Sequence, residues 1–150
     1  MCCSIGKGLQ LMAEFEITLE ELEQLCTELG LEITKYHSNS FTNVYVRLPE
    51  SEIWDKNVID ARGVISGTLI NTSDPNFIVS ASEYNNIVVE LFFTFMGSYK
   101  RGYYLASNYN NPYYGLKNAA DLKNKLKWLM KKFKDKQVHY KLKHLEKDFK

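Results

Sequence analysis

The stretch Ile87-Val88-Val89-Glu90-Leu91-Phe92-Phe93-Thr94-Phe95 decides the fold, because it is the longest apolar run in the chain. It is apolar on both alternating faces and holds a single charge, which is typical of a strand buried inside a sheet. It is far too short to cross a bilayer. We therefore predict that residues 87–95 form the central strand of a buried sheet.

Shorter strand patterns flank this run. Apolar and polar residues alternate over 44–48 until Pro49 ends the pattern. Further strands are predicted at 62–71, 77–81 and 103–106. Turns are predicted at 74–75, 85–86 and 97–98. Short connections between consecutive strands predict an antiparallel meander of about five or six strands.

Helical patterns frame the strands. Thr18 and Glu21 have the spacing of a capping box, and Gly30 stands where a left-handed helix C-cap belongs. This predicts an acidic helix over residues 19–29. The whole pattern predicts an α+β fold with an N-terminal acidic helix, an antiparallel meander, and one or two basic C-terminal helices packed on the sheet.

Charge divides the chain into two parts. Residues 1–115 carry 7 Lys and Arg against 14 Asp and Glu, whereas residues 116–150 carry 12 Lys against 4 acids, and the total is +1. The length fits a single domain over residues 1–150, with 116–150 as a basic helical arm. An extended leader is one interpretation of residues 1–14, and Met1 and Met12 both remain open as the natural start.

The composition favours a binding protein over an enzyme. Three cysteines, an odd number, argue against a disulfide framework and predict a cytoplasmic location. The three histidines lack zinc spacing, and the chain shows no Walker loop, nucleophile elbow or dinucleotide fingerprint. We therefore expect no metal, no cofactor and no membrane partner.

Glu90 is the one carboxylate inside the predicted central strand. Burial between its apolar neighbours would make it a candidate general acid or base, since perturbed carboxylates cluster at functional sites. A catalytic Glu90 is a hypothesis that requires burial, and a solvent-facing side chain is the ordinary alternative.

The basic arm has two apolar stripes at helical spacing. The first consists of Ala119, Leu122, Leu126, Leu129, Met130 and Phe133, and the second of Val138, Leu142, Leu145 and Phe149. The two stripes lie on different sides of a helical wheel. Either the helix breaks near residues 135–137, or its second half meets a different surface; a strand over 138–142 is a further alternative. The second stripe also suits a homodimer contact.

The first candidate binding site lies on this arm. Trp128 falls on the polar side of the wheel, near Lys125, Lys131 and Lys132. An exposed indole among ammonium groups suits nucleic-acid stacking or an anchor for a protein partner. The alternative is a tryptophan packed within the fold and lysines that form an ordinary solvated face, or that meet the glutamates of the N-terminal helix.

The second candidate site combines a basic turn with aromatic residues. Its members are Tyr99, Lys100, Arg101, Tyr103, Tyr109 and Tyr113. Basic side chains between tyrosines suit a nucleotide, an RNA loop or a peptide, and the same pattern occurs as ordinary sheet surface. A deep pocket centred on Lys100 and Arg101 would indicate nucleotide binding.

These features predict a non-enzymatic binding or regulatory protein. It would engage, and in one version inhibit, a larger protein or protein complex through the Trp-bearing helix and the Tyr/Asn-rich loop. The alternatives are a nucleic-acid accessory protein and a nucleotide-binding protein. The arm contains no arginine, so nucleic acid would be held with little base specificity. The Lys-, Asn-, Tyr- and Ile-rich composition is typical of AT-rich genomes, including those of phages and other mobile elements.

Overall fold

The computed structural model describes residues 16–38, 41–70 and 86–148, which form an α+β architecture. The elements are β1 (Glu16–Thr18), α1 (Leu19–Leu29), β2 (Glu32–His37), β3 (Phe41–Arg47), β4 (Gly63–Ile70), β5 (Asn86–Leu91), β6 (Thr94–Ser98), β7 (Gly102–Ala106) and α2 (Ala119–Asp148). The predicted class is confirmed: an N-terminal helix, antiparallel strands and a C-terminal helix that packs on the sheet.

Among the described residues, five strands form one antiparallel sheet in the order β1-β5-β4-β3-β2, and β6 pairs with β7 in a separate hairpin. Strands β2 to β5 are neighbours in chain order, as a meander requires. One cross-strand row is buried: Val46, Ile65 and Leu91. The next row, on the opposite face, is half-buried or exposed: Tyr45, Ser66 and Glu90. One face of the sheet therefore contributes to the core, and the other remains partly open.

Helix α1 begins and ends where the sequence predicts. The Thr18 hydroxyl accepts a hydrogen bond from the Glu21 amide at 3.1 Å, and the Glu21 carboxylate accepts one from the Thr18 amide at 3.3 Å. Gly30 has φ of 71° and ψ of 31° and closes the C-terminus. The buried side chains of α1 are Leu22, Leu25 and Cys26. Local capping chemistry thus fixes both ends of this helix.

Residues 87–95 form two strands, so the prediction of a single central strand is wrong. Strand β5 ends at Leu91, although the Phe92 amide still donates to the Val64 carbonyl of β4 at 2.9 Å, and the chain leaves the sheet at Phe93 before β6 begins. Phe93 is buried, and its amide donates to the Tyr114 hydroxyl at 3.2 Å. The run therefore serves two sheets, and β4 is the middle strand of the larger one. Periodicity cannot locate this break, because the two phenylalanines are as apolar as the strands around them.

The β6–β7 turn lies at residues 99–101, so the predicted turn at Gly97–Ser98 is wrong. Gly97 pairs with Tyr103, and Ser98 pairs with Gly102. Glycine allows backbone conformations that occur in turns and also elsewhere. Gly97 alone therefore does not locate the turn.

A connection over residues 48–62 joins the hairpin to the rest of the core. Trp54 stacks nearly parallel between Phe95 and Phe133, with ring centroids 6.0 and 5.3 Å away. The Asp55 amide donates to the Tyr103 carbonyl at 2.9 Å. One aromatic stack therefore links the connection, the hairpin and α2.

Helix α2 is continuous from Ala119 to Asp148. Neither the predicted break near 135–137 nor the strand alternative over 138–142 occurs. Its inner side chains are buried: Leu122, Leu126, Leu129 and Phe133. In the second half, the exposed fractions of Val138, Leu142 and Leu145 are 58%, 55% and 52%. The first apolar stripe is thus covered, and the described part of the second is not.

Some sequence predictions fall outside the described residues. These are the leader 1–14, the turn at 74–75, the strand at 77–81, Asn85 of the turn at 85–86, and Phe149.

Within the part of the chain that the structure describes, neither helix is long and apolar enough to cross a membrane.

Replacing Gly102 with Ala tests the close packing of the hairpin. Gly102 has φ of +107°, and a Cβ there would lie 2.6 Å from the backbone of Asp55, whereas Gly30 has φ of +71° and open space. We expect Gly30→Ala to cost about 1–2 kcal/mol through left-handed strain alone. Gly102→Ala should cost about 1–3 kcal/mol more, because backbone must move. Urea unfolding of both variants provides the measurement, and equal losses would contradict this account.

Candidate interaction surface

Lys125 lies between two aromatic rings at the start of the exposed side of α2. Its Nζ is 3.7 Å from the Trp128 ring centroid and 5.5 Å from that of Tyr114. The Lys132 Nζ lies 5.6 Å from the same indole. Partial burial lowers the pKa of Lys125, because the charged form loses water. The two ring faces offset part of that loss through cation–π attraction.

Trp128 is 42% exposed, so it is neither a core residue nor a bare stacking platform. Lys125 and Lys132, which the sequence predicted to lie near it, are within cation–π distance of its ring, while Lys131 is exposed. The indole thus presents a limited apolar area within a basic surface. Such a group suits an anchor that is completed by a partner.

Tyr114 fixes the Asn/Tyr-rich loop beside this cluster, and it was missed by the sequence predictions. Its hydroxyl lies 2.9 Å from Thr94 Oγ1 and donates to the Ala106 carbonyl at 3.2 Å. Its ring packs against Phe93 with centroids 5.2 Å apart. The loop next to Trp128 is therefore tied to both strands of the hairpin. Nothing in the sequence distinguishes Tyr114 from Tyr113, so no signal marked it.

The lysines of α2 differ in whether they form an ion pair within the fold or are exposed to solvent. Lys123 forms an ion pair with Glu28 of α1 at 3.0 Å, and its hydrogen bond and charge lower the pKa of the Glu28 carboxyl. The basic arm thus meets the acidic helix at this position. Other lysines of α2 are exposed: Lys127, Lys131, Lys132, Lys134 and Lys141. Most of the basic surface therefore faces solvent and is available to a partner.

The predicted second site does not come together as one surface. Tyr103 is 5% exposed, and burial raises the pKa of its hydroxyl, so its ring belongs to the core and not to the exposed surface. Its ring lies under the Lys136 Nζ at 5.0 Å within the hairpin packing. Lys100 and Arg101 are exposed on the turn. Tyr109 is 96% exposed.

Other tyrosines of this set support the fold. Tyr113 is half-buried against the core. Tyr99 contacts α2 edge-on, with its ring centroid 6.1 Å from that of His139 and 6.4 Å from that of His144. The turn of the hairpin thus lies against the second half of α2.

A cavity of about 260 Å³ is lined mostly by residues of β3, β4 and the 48–62 connection, and none of the predicted binding residues lines it. Its lining includes Tyr45, Ser66, Phe92, Ile59 and Arg47. Arg47 donates to Thr34 at 2.9 Å and pairs with Asp60 at 3.3 Å. The cation is thus engaged within the fold, and Lys100 and Arg101 do not line this cavity.

Two described residues with potential for acid–base or nucleophilic chemistry, Glu90 and Cys26, are badly placed for it. Glu90 is exposed, which removes the hypothesis of a buried catalytic carboxylate. Cys26 is buried in α1, and burial, with a smaller effect of Glu23, raises the pKa of its thiol to about 11. Such a thiol is a poor nucleophile near neutral pH. Among the described residues, no group of three His, Cys, Asp or Glu side chains is placed to hold a metal ion.

The chain matches no protein-family model, no curated protein and no solved structure. Its function is therefore argued from the surface of α2 and its surroundings.

Replacing Tyr114 with Phe tests the anchoring of the loop. Loss of the hydroxyl would leave the partly buried Phe93 amide and Ala106 carbonyl without this partner. We expect a loss of about 1–3 kcal/mol in the free energy of unfolding. Tyr109→Phe is the matched control, because Tyr109 is almost fully exposed, and it should leave stability unchanged. Equal chemical denaturation curves for the two variants would refute the anchoring role.

The stability of the protein should decrease at alkaline pH partly because of Cys26. The thiol pKa rises from about 9 to about 11 on folding. The stabilisation is present below the unfolded pKa and is lost as pH rises toward the folded pKa. Between pH 9 and 11, wild type should lose up to about 1.4 kcal/mol per pH unit more than Cys26→Ala. Denaturant unfolding at several pH values measures this difference, and parallel pH profiles would contradict it.

Proposed function

We propose that the protein is a non-enzymatic binding protein that engages, and thereby regulates or inhibits, a larger protein or protein complex. The contact is made by the exposed side of α2 and the adjoining Asn/Tyr-rich loop. The proposal places the protein in the cytoplasm, and a phage or another mobile element is the source that its composition favours.

The observation that carries this proposal is the two-sided character of α2. Its inner side is buried through Leu126, Leu129 and Phe133, while its outer side presents Trp128 at 42% exposure and Leu142 at 55% exposure. Exposed apolar side chains in a basic helical surface are typical of a protein interface, whose anchors are aromatic or aliphatic and whose rim is charged. The loop beside it presents Tyr109, which is almost fully exposed.

Nucleic acid is the second candidate, and the basic surface favours it. Two observations weigh against it. The arm contains no arginine, which is the usual residue for bidentate phosphate and base contacts. Lys125 already covers the Trp128 indole at 3.7 Å, so a base would have to displace it before stacking.

Affinity capture from the native host tests the proposal, with Trp128→Ala compared against wild type. We expect Trp128→Ala to weaken binding of the captured protein about 30-fold, as for an interface anchor worth about 2 kcal/mol. Its stability should fall by about 1 kcal/mol or less, because the indole is half-exposed and loses mainly cation–π contacts. Ile59→Ala, which removes a 92% exposed side chain from the 48–62 connection, is the control.

An unchanged capture profile for Trp128→Ala would remove Trp128 from the interface. Salt separates the two candidates: nucleic-acid binding weakens steeply with ionic strength through counterion release, whereas an interface anchored by apolar groups changes less. A capture that is lost on nuclease treatment would favour the nucleic-acid candidate.

A further inference from the structure

The unbroken course of α2 aligns Trp128 with the uncovered second stripe. Trp128, Asp135 and Leu142 are seven residues apart, and Lys131, Val138 and Leu145 follow them at the same interval. The alternating spacing of three and four residues is that of the a and d positions of a coiled coil. We call these six residues the outer seam.

Every residue of the outer seam is exposed. From Trp128 to Leu145 it covers about 25 Å of helix, at about 1.5 Å per residue. It lies on the side of α2 opposite the buried Leu126, Leu129 and Phe133, so the core and the seam use different faces. The outer seam is a narrow stripe along α2, like the contact stripe of two paired helices, and is not a broad apolar surface.

Basic residues flank the outer seam. In heptad terms the e positions hold Lys125, Lys132, His139 and Glu146, and the g positions hold Lys127, Lys134 and Lys141. The e and g positions set partner choice in coiled coils through charge. A partner helix with carboxylates at its own e and g positions would match all three g-position lysines and two of the four e positions.

We propose that the outer seam binds one α-helix of a protein partner, with apolar residues at heptad spacing and acidic residues along both flanks. This inference rests on the proposed function and identifies the kind of partner. Lys131 and Asp135 are polar seam positions that would favour one register, since buried polar groups at a or d positions select partners.

A second copy of this chain fits the outer seam less well. Pairing two copies in antiparallel orientation would place lysines at g positions against lysines, including Lys134 and Lys141 of each copy, and like charges oppose such pairing. A polyanion such as nucleic acid or an anionic membrane would also place negative charge over the centre of the seam, at Asp135, whereas a partner helix keeps its carboxylates on the flanks. An acidic helix is therefore the occupant that the charges favour.

A designed peptide provides the probe. It has three heptads with Leu at every a and d position and Glu at every e and g position, so that it repels itself and remains a monomer. We expect full-length protein to bind the fluorescently labelled peptide, with a rise in anisotropy and in peptide helicity. The same peptide with Lys at the e and g positions should bind at least ten-fold more weakly.

Two protein variants connect the binding to the outer seam. Leu142→Ser should weaken binding of the Glu peptide at least ten-fold, whereas Met96→Ser, which alters a 45% exposed residue of β6, should not. The triple variant Lys127→Glu, Lys134→Glu, Lys141→Glu should reverse the preference, so that the Lys peptide binds more tightly than the Glu peptide. Circular dichroism confirms that each variant is folded.

Several results would overturn the inference. These are equal binding of the two peptides, no effect of Leu142→Ser, a dimer in sedimentation experiments that Leu142→Ser dissociates, or tighter binding to anionic vesicles or single-stranded DNA than to the Glu peptide. If Trp128→Ala reduces capture of the host partner and Leu142→Ser does not, the helix inference fails and the proposed function stands. If neither variant reduces capture, the proposed function fails.

Discussion

The parallel stack of Phe95, Trp54 and Phe133 brings three elements of the fold together in one contact. It connects the 48–62 segment, the β6–β7 hairpin and α2 in one place, next to the backbone bond between Asp55 and Tyr103. Aromatic rings bury large areas and prefer defined geometries, so this contact fixes orientation as well as distance. The rotation of α2 follows from it. With Phe133 facing inward, the opposite side of the helix faces outward.

Local signals predicted those parts of the fold that depend on neighbouring residues. The capping box at Thr18 and Glu21 and the αL residue Gly30 set the ends of α1 within a few residues, and both were read correctly. The break at Phe92–Phe93 could not be read in this way. At this break the Phe93 amide donates to the hydroxyl of Tyr114, 21 residues later. Periodicity contains no information on such a distant partner.

The sequence likewise predicted some parts of the candidate surface and not others. Helical spacing identified Trp128 as an outward residue and placed Lys125 and Lys132 near it, and the structure agrees. It did not indicate that Tyr103 is buried, because alternation in a short strand does not show which face a second layer will cover. The link between Trp128 and Leu142 was present in the sequence as seven-residue spacing. It was overlooked because the two apolar stripes were considered separately, with a helix break between them as one of two alternatives.

The contact of Tyr99 with His139 and His144 has a consequence for the thermodynamics of association. It supports the second half of α2 beyond the last buried leucines, so that this segment is already helical before any encounter. A segment that folds only on binding loses conformational entropy at that moment, which lowers its affinity for a given contact area. Here the contact with the hairpin already orders the second half of α2 in the unbound protein, so this entropy is not lost on binding. A larger share of the free energy of its apolar contacts can therefore contribute to the affinity for a partner.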